Sequence, residues 1–296
     1  MPRAKSNGIE LEYDTFGSKG DRPLLLIMGL GAQMLQWDER FCAALAERGQ
    51  FVIRFDNRDV GLSTKFDHAG VPDLAKLMQP GADRSGVPYT LDDMADDAAG
   101  LLGALGLDSA HIFGSSMGGM IAQTVAYRHA AKTRSVISLY SSTGNPKLPP
   151  AKPEAMAVLM TPRPSDRAGA IEAAVRASQV TSGPGYPLDP EYLRERHTRM
   201  FDRSFTPTAS ARHLAAVTAH GNRAPRLAAI TAPTLVIHGT SDPLVPVECG
   251  RDTARSIPGA ELWEIEGLGH GIPPALWNAL ADRIAAHAAK AEARRP

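Results

Sequence analysis

What most constrains this chain is an alternation: short apolar runs are followed, again and again, by segments of helical period. PLLLIMG at 23–29 is almost continuously apolar, as a strand covered on both faces must be. QWDERFCAALAERG at 36–49 has helical spacing and ends at Gly49, a helix stop. FVIRFD (51–56) reads as the next strand. LDDMADDAAGLLGALGL (91–107) reads as an amphipathic helix, with Asp92 and Asp93 in the first turn where the helix dipole favours them. SAHIFG (109–114), SMGGMIAQTVAYRHA (116–130) and RSVISLYSS (134–142) continue strand, helix, strand. IELEYDTF at 9–16 alternates loosely and reads as an edge strand. Such alternation predicts an α/β fold. A mostly parallel sheet carries helices on both faces, with the strand C-termini along one edge.

The pattern breaks at NPKLPPAKP, where four prolines fall between Pro146 and Pro153. Helical segments follow (PEAMAVLM, SDRAGAIEAAVRASQV, DPEYLRERHTRMF, TASARHLAAVTAHG) with no strand pattern among them. Strands return at PTLVIHG (233–239) and AELWEIE (260–266), around a helical VECGRDTARS, and ALWNALADRIAAHAAKAEA ends the chain before RRP. The expected organisation is a core of residues 1–143 and 230–296 with a helical cap of residues 144–229 inserted over the sheet edge. Residues 64–90, rich in Gly, Pro and Asp, are expected to form a mobile lid or a wall of the site.

Composition narrows the function. The chain has 296 residues with Lys+Arg 32 and Asp+Glu 32, so no net charge favours nucleic acid or an acidic partner. An uncharged ligand is the expectation. Cys42 and Cys249 stand alone, which excludes a disulfide framework or zinc knuckle and predicts buried or half-buried side chains. MPRAKSNG is basic but leads into no apolar segment, and PLLLIMGL is too short to span a bilayer. The expectation is a cytoplasmic protein with no membrane partner.

The chemistry centres on HIFGSSMGGM, 111–120. Gly114-Ser115-Ser116-Met117-Gly118 fits G-x-S-x-G between a strand and a helix, the context that motif requires. A nucleophile in that strained turn needs small residues two before and two after it. Centred on Ser116, these are Gly114 and Gly118; centred on Ser115, they are Phe113 and Met117, which would crowd the turn. Ser116 is therefore the expected nucleophile and Ser115 a turn residue. A serine hydroxyl needs a base, and the base an orienting acid. TSDPLVP places Asp242 just past one strand and GLGHGIP places His270 just past the last, both on the edge that carries Ser116. Asp242 as a simple turn-former before Pro243 is the other reading. His238 and His111 lie in strands and His129 ends a helix. His197, His213 and His220 lie in the cap, where packing, surface or substrate-wall roles suit them, and His68 lies in the 64–90 connection.

An oxyanion needs donors. Met117 supplies the N–H after the nucleophile, and Leu30 in Met28-Gly29-Leu30-Gly31 is the expected second donor, unless GLG is only a tight strand exit. Met34 breaks the dinucleotide pattern that this loop begins, and no phosphate loop or H-E-x-x-H occurs, so neither cofactor nor metal is expected.

With these residues in place the chain resembles the α/β-hydrolase superfamily, as a serine esterase with a helical cap, over essentially its whole length. Ser116 in GSSMGG, Asp242 in HGTSDPLVP and His270 in GLGHGIP are the positions that carry over. FDNRDVGLS (55–63) resembles the family's D-x-R-G-x-G-x-S turn, with Asp59 and Val60 where many members have glycine and a variable residue. Arg58 and Asp59 are expected to brace loops. That segment, with Met28-Gly29 in place of His-Gly, is similar to the aclacinomycin methylesterase branch, whose members hydrolyse a methyl ester on a polyketide. Methionine cannot hold the oxyanion loop as histidine does, so packing or another partner must. The resemblance implies hydrolysis of a small to medium, largely apolar ester by way of an acyl-enzyme. Leu30, Met34, Trp37, Met117, Met156, Met160 and Met200 are the pocket candidates, with packing inside the cap the competing role for the cap methionines. Cofactor-free perhydrolysis of the haloperoxidase kind and C–C bond hydrolysis use the same triad. A ligand receptor on this scaffold would have no need of an intact triad.

Overall fold

The computed structural model describes residues 1–79 and 81–294; Pro80 of the 64–90 connection, and Arg295 and Pro296 of the terminal RRP, lie outside the described residues. Strands β1 (Arg3–Ser6), β2 (Ile9–Phe16) and β3 (Arg22–Ile27) precede helix α1 (Glu39–Ala46) and strand β4 (Gln50–Phe55). The short α2 (Leu74–Leu77) interrupts the connection to α3 (Leu91–Ala104), and β5 (Ala110–Ser115), α4 (Met117–Arg128) and β6 (Thr133–Leu139) follow. Among the described residues, only helices lie between β6 and β7: α5 (Pro153–Met160), α6 (Arg167–Thr181), α7 (Pro190–Arg203), α8 (Ala209–His220) and α9 (Ala224–Leu227). Then come β7 (Thr234–Gly239), α10 (Val247–Ser256), β8 (Glu261–Ile265) and α11 (Trp277–Glu292).

The described strands form one sheet in the order β1-β2-β4-β3-β5-β6-β7-β8. The pairings β1–β2 and β2–β4 are antiparallel, and every pairing from β4 onward is parallel. This is the α/β fold expected, with one correction. IELEYDTF is not the edge. β1 covers it, with Arg3 opposite Glu12 and Ser6 opposite Ile9. RAKS has no apolar alternation to announce a strand. It is short and charged, as outer strands are when they must not recruit another chain.

Strand alternation divides the core into two layers. Leu25, Ile27, Ile53, Phe55 and Ile112 face α3 and α4, where Met94, Leu101, Ile121 and Val125 meet them. Leu24, Leu26, Val52, Phe113 and Ile237 face α1 and α11, against Phe41, Leu45, Leu280 and Ile284. Covering both faces is what the continuous apolar run at 23–29 required. Helix starts follow local chemistry. Asp38 accepts from the Arg40 N–H at 2.9 Å and starts α1. Thr90 and Asp93 form a reciprocal capping box on α3, with Thr90 N–H donating to Asp93 at 2.7 Å. Both cysteines are buried and free, and burial pushes their thiols up, Cys42 to about 12 and Cys249 to about 11. Among the described residues no helix is long and apolar enough to cross a membrane.

Candidate active site

Because β5, β7 and β8 run parallel, the loops after them open on one edge of the sheet. Ser116 sits between β5 and α4 at φ 56, ψ −122, a conformation that L residues avoid. Such strain costs about 1–3 kcal/mol and persists only where its surroundings over-determine it. Here Ser116 N–H donates to Leu139 O at 2.9 Å and the Ser141 hydroxyl donates to Ser116 O at 2.8 Å. The flanking glycines have steric causes. A Cβ on Gly114 would lie 1.9 Å from Gly118 O, and one on Gly118 would lie 2.0 Å from Ile27 O. Ser115 points elsewhere: it is buried, and its hydroxyl donates to Met28 Sδ at 3.3 Å.

His270 Nε2 lies 2.9 Å from Ser116 Oγ, and Nδ1 lies 2.7 Å from Asp242 Oδ2. The other Asp242 oxygen accepts from the N–H groups of Leu244 and Val245 at 2.9 and 2.8 Å, which aims the carboxylate. With Nδ1–H donated to Asp242, Nε2 is the free acceptor, so the imidazole can take a proton from Ser116. The Tyr140 ring packs on the imidazole at 4.4 Å between centroids. His270 N–H donates to Thr181 O at 2.8 Å, so the end of α6 holds the histidine loop.

Two unused backbone N–H groups belong to residues that border the same cavity. Among the described residues neither Leu30 N–H nor Met117 N–H has an intramolecular acceptor, and Leu30, Ser116 and Met117 line one cavity. The loop carrying Leu30 is held from three sides. Asn57 Nδ2 donates to Met28 O at 2.8 Å, Gly31 N–H donates to His213 Nδ1 at 3.0 Å, and Met34 N–H donates to Asp56 Oδ1 at 2.8 Å. His213, fully buried on α8, donates from Nε2 to Arg58 O at 2.9 Å. Burial, foremost, pushes its pKa down, so it is held as the neutral tautomer whose Nδ1 accepts. The partner that Met28 made necessary is thus supplied by a helix more than 180 residues away. The neighbouring segment braces it. Arg58 pairs with Asp97 at 2.6 Å, and Arg212 Nη2 reaches Asp59 Oδ1 at 2.8 Å. Asp59 takes φ 77, the region glycine favours, and its carboxylate gains Arg212 and the Tyr89 hydroxyl at 2.7 Å.

The cavity has two contiguous lobes. The inner, about 270 Å³, is lined by Ser116, Met117, Met120, Tyr140, Met156 and Val217. The outer, about 570 Å³, is lined by Met160, Met200, Leu188, Val71, Leu74 and Ala211 among others. Leu30, Leu159, Leu214 and Ile272 border both. Two expected pocket residues do not reach it. Met34 and Trp37 are fully buried. Trp37 packs against Phe113 with ring centroids 4.8 Å apart and planes tilted by 55°, because its turn folds inward onto the β5 layer. Val71 and Leu74 bring the 64–90 connection into the wall, docked there by Arg212 through Asp67 and Gly70 O.

Sequence reasoning missed Asn57, Tyr140, Arg196 and the role of His213. His213 stood with the other cap histidines, and no local spacing separates it from them. The remaining candidates lie away from Ser116. His111 meets the Ser135 hydroxyl at 2.8 Å and His129 pairs with Asp96 at 2.7 Å. His220 meets Tyr127 at 3.1 Å, and His238 donates to Val245 O at 2.7 Å.

The family model for the alpha/beta hydrolase fold matches residues 22–273. The chain is 30% identical to rhodomycin D methylesterase DauP of Streptomyces sp. (strain C5), across 94% of this chain and 95% of that protein. It is 28% identical to rhodomycin D methylesterase DnrP of Streptomyces peucetius, with the same coverage of each. The meta-cleavage product hydrolase CumD of Pseudomonas fluorescens IP01 superposes with a TM-score of 0.76 at 18% identity, covering 98% of both chains, a likeness of fold.

Proposed function

The chain belongs to the α/β-hydrolase fold family and is a hydrolase, and from that premise we propose that it cleaves carboxylic esters through Ser116, His270 and Asp242. The observation that carries this reading is the unbroken hydrogen-bonded line from Asp242 through His270 to Ser116, at 2.7 and 2.9 Å, ending in a cavity. Ser116 Oγ attacks the ester carbonyl while His270 Nε2 takes its proton. Asp242 stabilises the imidazolium. The carbonyl oxygen, now an anion, receives the Leu30 and Met117 N–H groups. His270 then protonates the departing alcohol, and the acyl group stays on Ser116. Water, deprotonated by the same imidazole, frees the acid and restores the serine.

Residues 144–229 act in this reading as the cap, with 1–143 and 230–296 as the core, since α5 to α8 supply much of the cavity wall. The wall is largely apolar, which suits a small to medium apolar acyl or alcohol part. The relatives are methylesterases, which extends the reading to a methyl ester as the bond broken. The test is turnover of 4-nitrophenyl and methyl esters by wild type and Ser116→Ala. Wild type hydrolyses them, and the variant retains less than roughly one part in 10³ of kcat. Activity on C–C substrates or in perhydrolysis, with none on esters, would overturn the ester reading.

A further inference from the structure

The cavity wall is unbalanced in charge. Among its described lining residues there is no lysine, aspartate or glutamate, but there are two arginines, Arg163 and Arg196. Elsewhere around the site guanidiniums are matched: Arg58 by Asp97, Arg212 by Asp59, Arg203 by Asp56 at 2.7 Å. Neither cavity arginine has a carboxylate within ion-pair distance among the described residues. Arg196 Nε is buried with no acceptor; the guanidinium lies over the Tyr192 ring at 5.2 Å, Nη1 reaches the Tyr192 hydroxyl at 3.5 Å, and the side chain also borders a small cleft with Asp38, Glu39 and Glu195, none of them within ion-pair distance among the described residues. That hydroxyl is committed to Asp38 at 3.0 Å, and Asp38 also holds Arg40. Glu39, on the outer side, is taken by Arg199 at 2.7 Å.

The wall holds two imidazoles, His270 of the candidate triad and His197, and neither can supply a negative charge to balance the arginines. His197 shares a hydrogen bond with Ser178 at 2.9 Å. It is pushed down to about 3, first by burial and then by the fields of Arg196 and Arg163. A guanidinium held in a largely apolar wall with a buried, unused donor favours a bidentate oxyanion more strongly than a solvated one would. Position matters too. Ser116 lines the inner lobe, Arg163 the outer, and Arg196 both.

We infer that this cavity receives an ester bearing a second acidic group, ionised as a carboxylate or equivalent oxyanion, bound by Arg196 at the junction of the lobes while the ester carbonyl lies at Ser116. Arg163 supplies a second positive charge farther out. This replaces the uncharged ligand suggested by the neutral overall composition, and it rests on the ester-hydrolase reading above.

The probes are mono-4-nitrophenyl adipate, which carries a free carboxylate, and 4-nitrophenyl hexanoate, its uncharged counterpart of equal chain length. Wild type favours the adipate ester in kcat/KM, and Arg196→Gln reduces that preference by about tenfold or more. Arg196→Lys restores part of it, and added salt weakens it. A parallel readout avoids turnover: calorimetric binding of monomethyl adipate and methyl hexanoate to Ser116→Ala, with and without Arg196→Gln. Equal preference in wild type and Arg196→Gln by both readouts overturns the inference, even if both esters are hydrolysed. Selective binding of the adipate without turnover of either ester leaves the anion site standing and overturns the ester-hydrolase reading instead. Thermal melts establish that each variant is folded.

Discussion

At the scale of single residues, two adjacent serines have opposite surroundings. Ser116 is strained, partly open and 2.9 Å from an imidazole, whereas Ser115 is buried against Met28. Ser115→Ala removes a weak hydroxyl–thioether contact and should keep most of the activity, while Ser116→Ala loses nearly all of it in the same ester assay. His213 makes a sharper case. It touches no reacting atom, but its Nδ1 is the acceptor for Gly31 N–H in the loop that carries the proposed oxyanion donor Leu30. We expect His213→Ala to lower kcat roughly 10- to 100-fold with little change in KM, because a misaimed donor weakens the transition state more than substrate binding. His213→Asn, whose amide oxygen can accept in place of Nδ1, should recover part of the loss. A changed KM with unchanged kcat would make His213 a wall residue only. The serine choice was legible because glycine spacing is local. The histidine's role was not, because nothing within its own helix records which loop it will meet.

At the scale of elements, the turn between β5 and α4 depends on backbone contact that side chains would block. The Gly118 Cα faces Ile27 O of β3, so Gly118→Ala forces strand and helix apart. Denaturant unfolding should show a loss of about 1–3 kcal/mol or more, the range of steric insertions into packed sites. An unchanged midpoint would mean that the strand gives way freely. The long apolar strands and amphipathic helices were legible for a related reason: each buries one or two faces, and burial writes its period into the sequence. β1 was not legible because RAKS, four charged and small residues, has no apolar alternation and joins the sheet through its backbone ladder and polar contacts such as Arg3 to Glu12. The turn at Met34–Gln36 shows the other limit. It stands next to the oxyanion loop in sequence but folds inward, so Met34 and Trp37 became core instead of pocket.

At the scale of the whole molecule, burial sets the response to acid. Six of the nine histidines, His111, His197, His213, His220, His238 and His287, are held below the ordinary 6.5, with burial the first cause in each. A histidine with a depressed folded pKa contributes stability fully above its unfolded pKa. The contribution is lost as pH falls below that value, because the unfolded chain binds the proton first. The melting temperature should therefore drop steadily from about pH 7 to about pH 4.5, and calorimetry over that range checks it. A flat profile would mean that these imidazoles are reached by water in the folded state. What the sequence alone determined was the parallel sheet, the helical insert, the Gly-x-Ser-x-Gly turn, and the loop positions of Asp242 and His270. Each is encoded by periodicity or spacing within a few residues. What only the tertiary structure decided was how α7 and α8 dock on the edge of the sheet. That docking puts His213 against the Leu30 loop and brings Arg196 into the cavity wall beside Ser116. Such contacts join residues more than a hundred positions apart, and their energy comes from surfaces that exist only after the chain has packed.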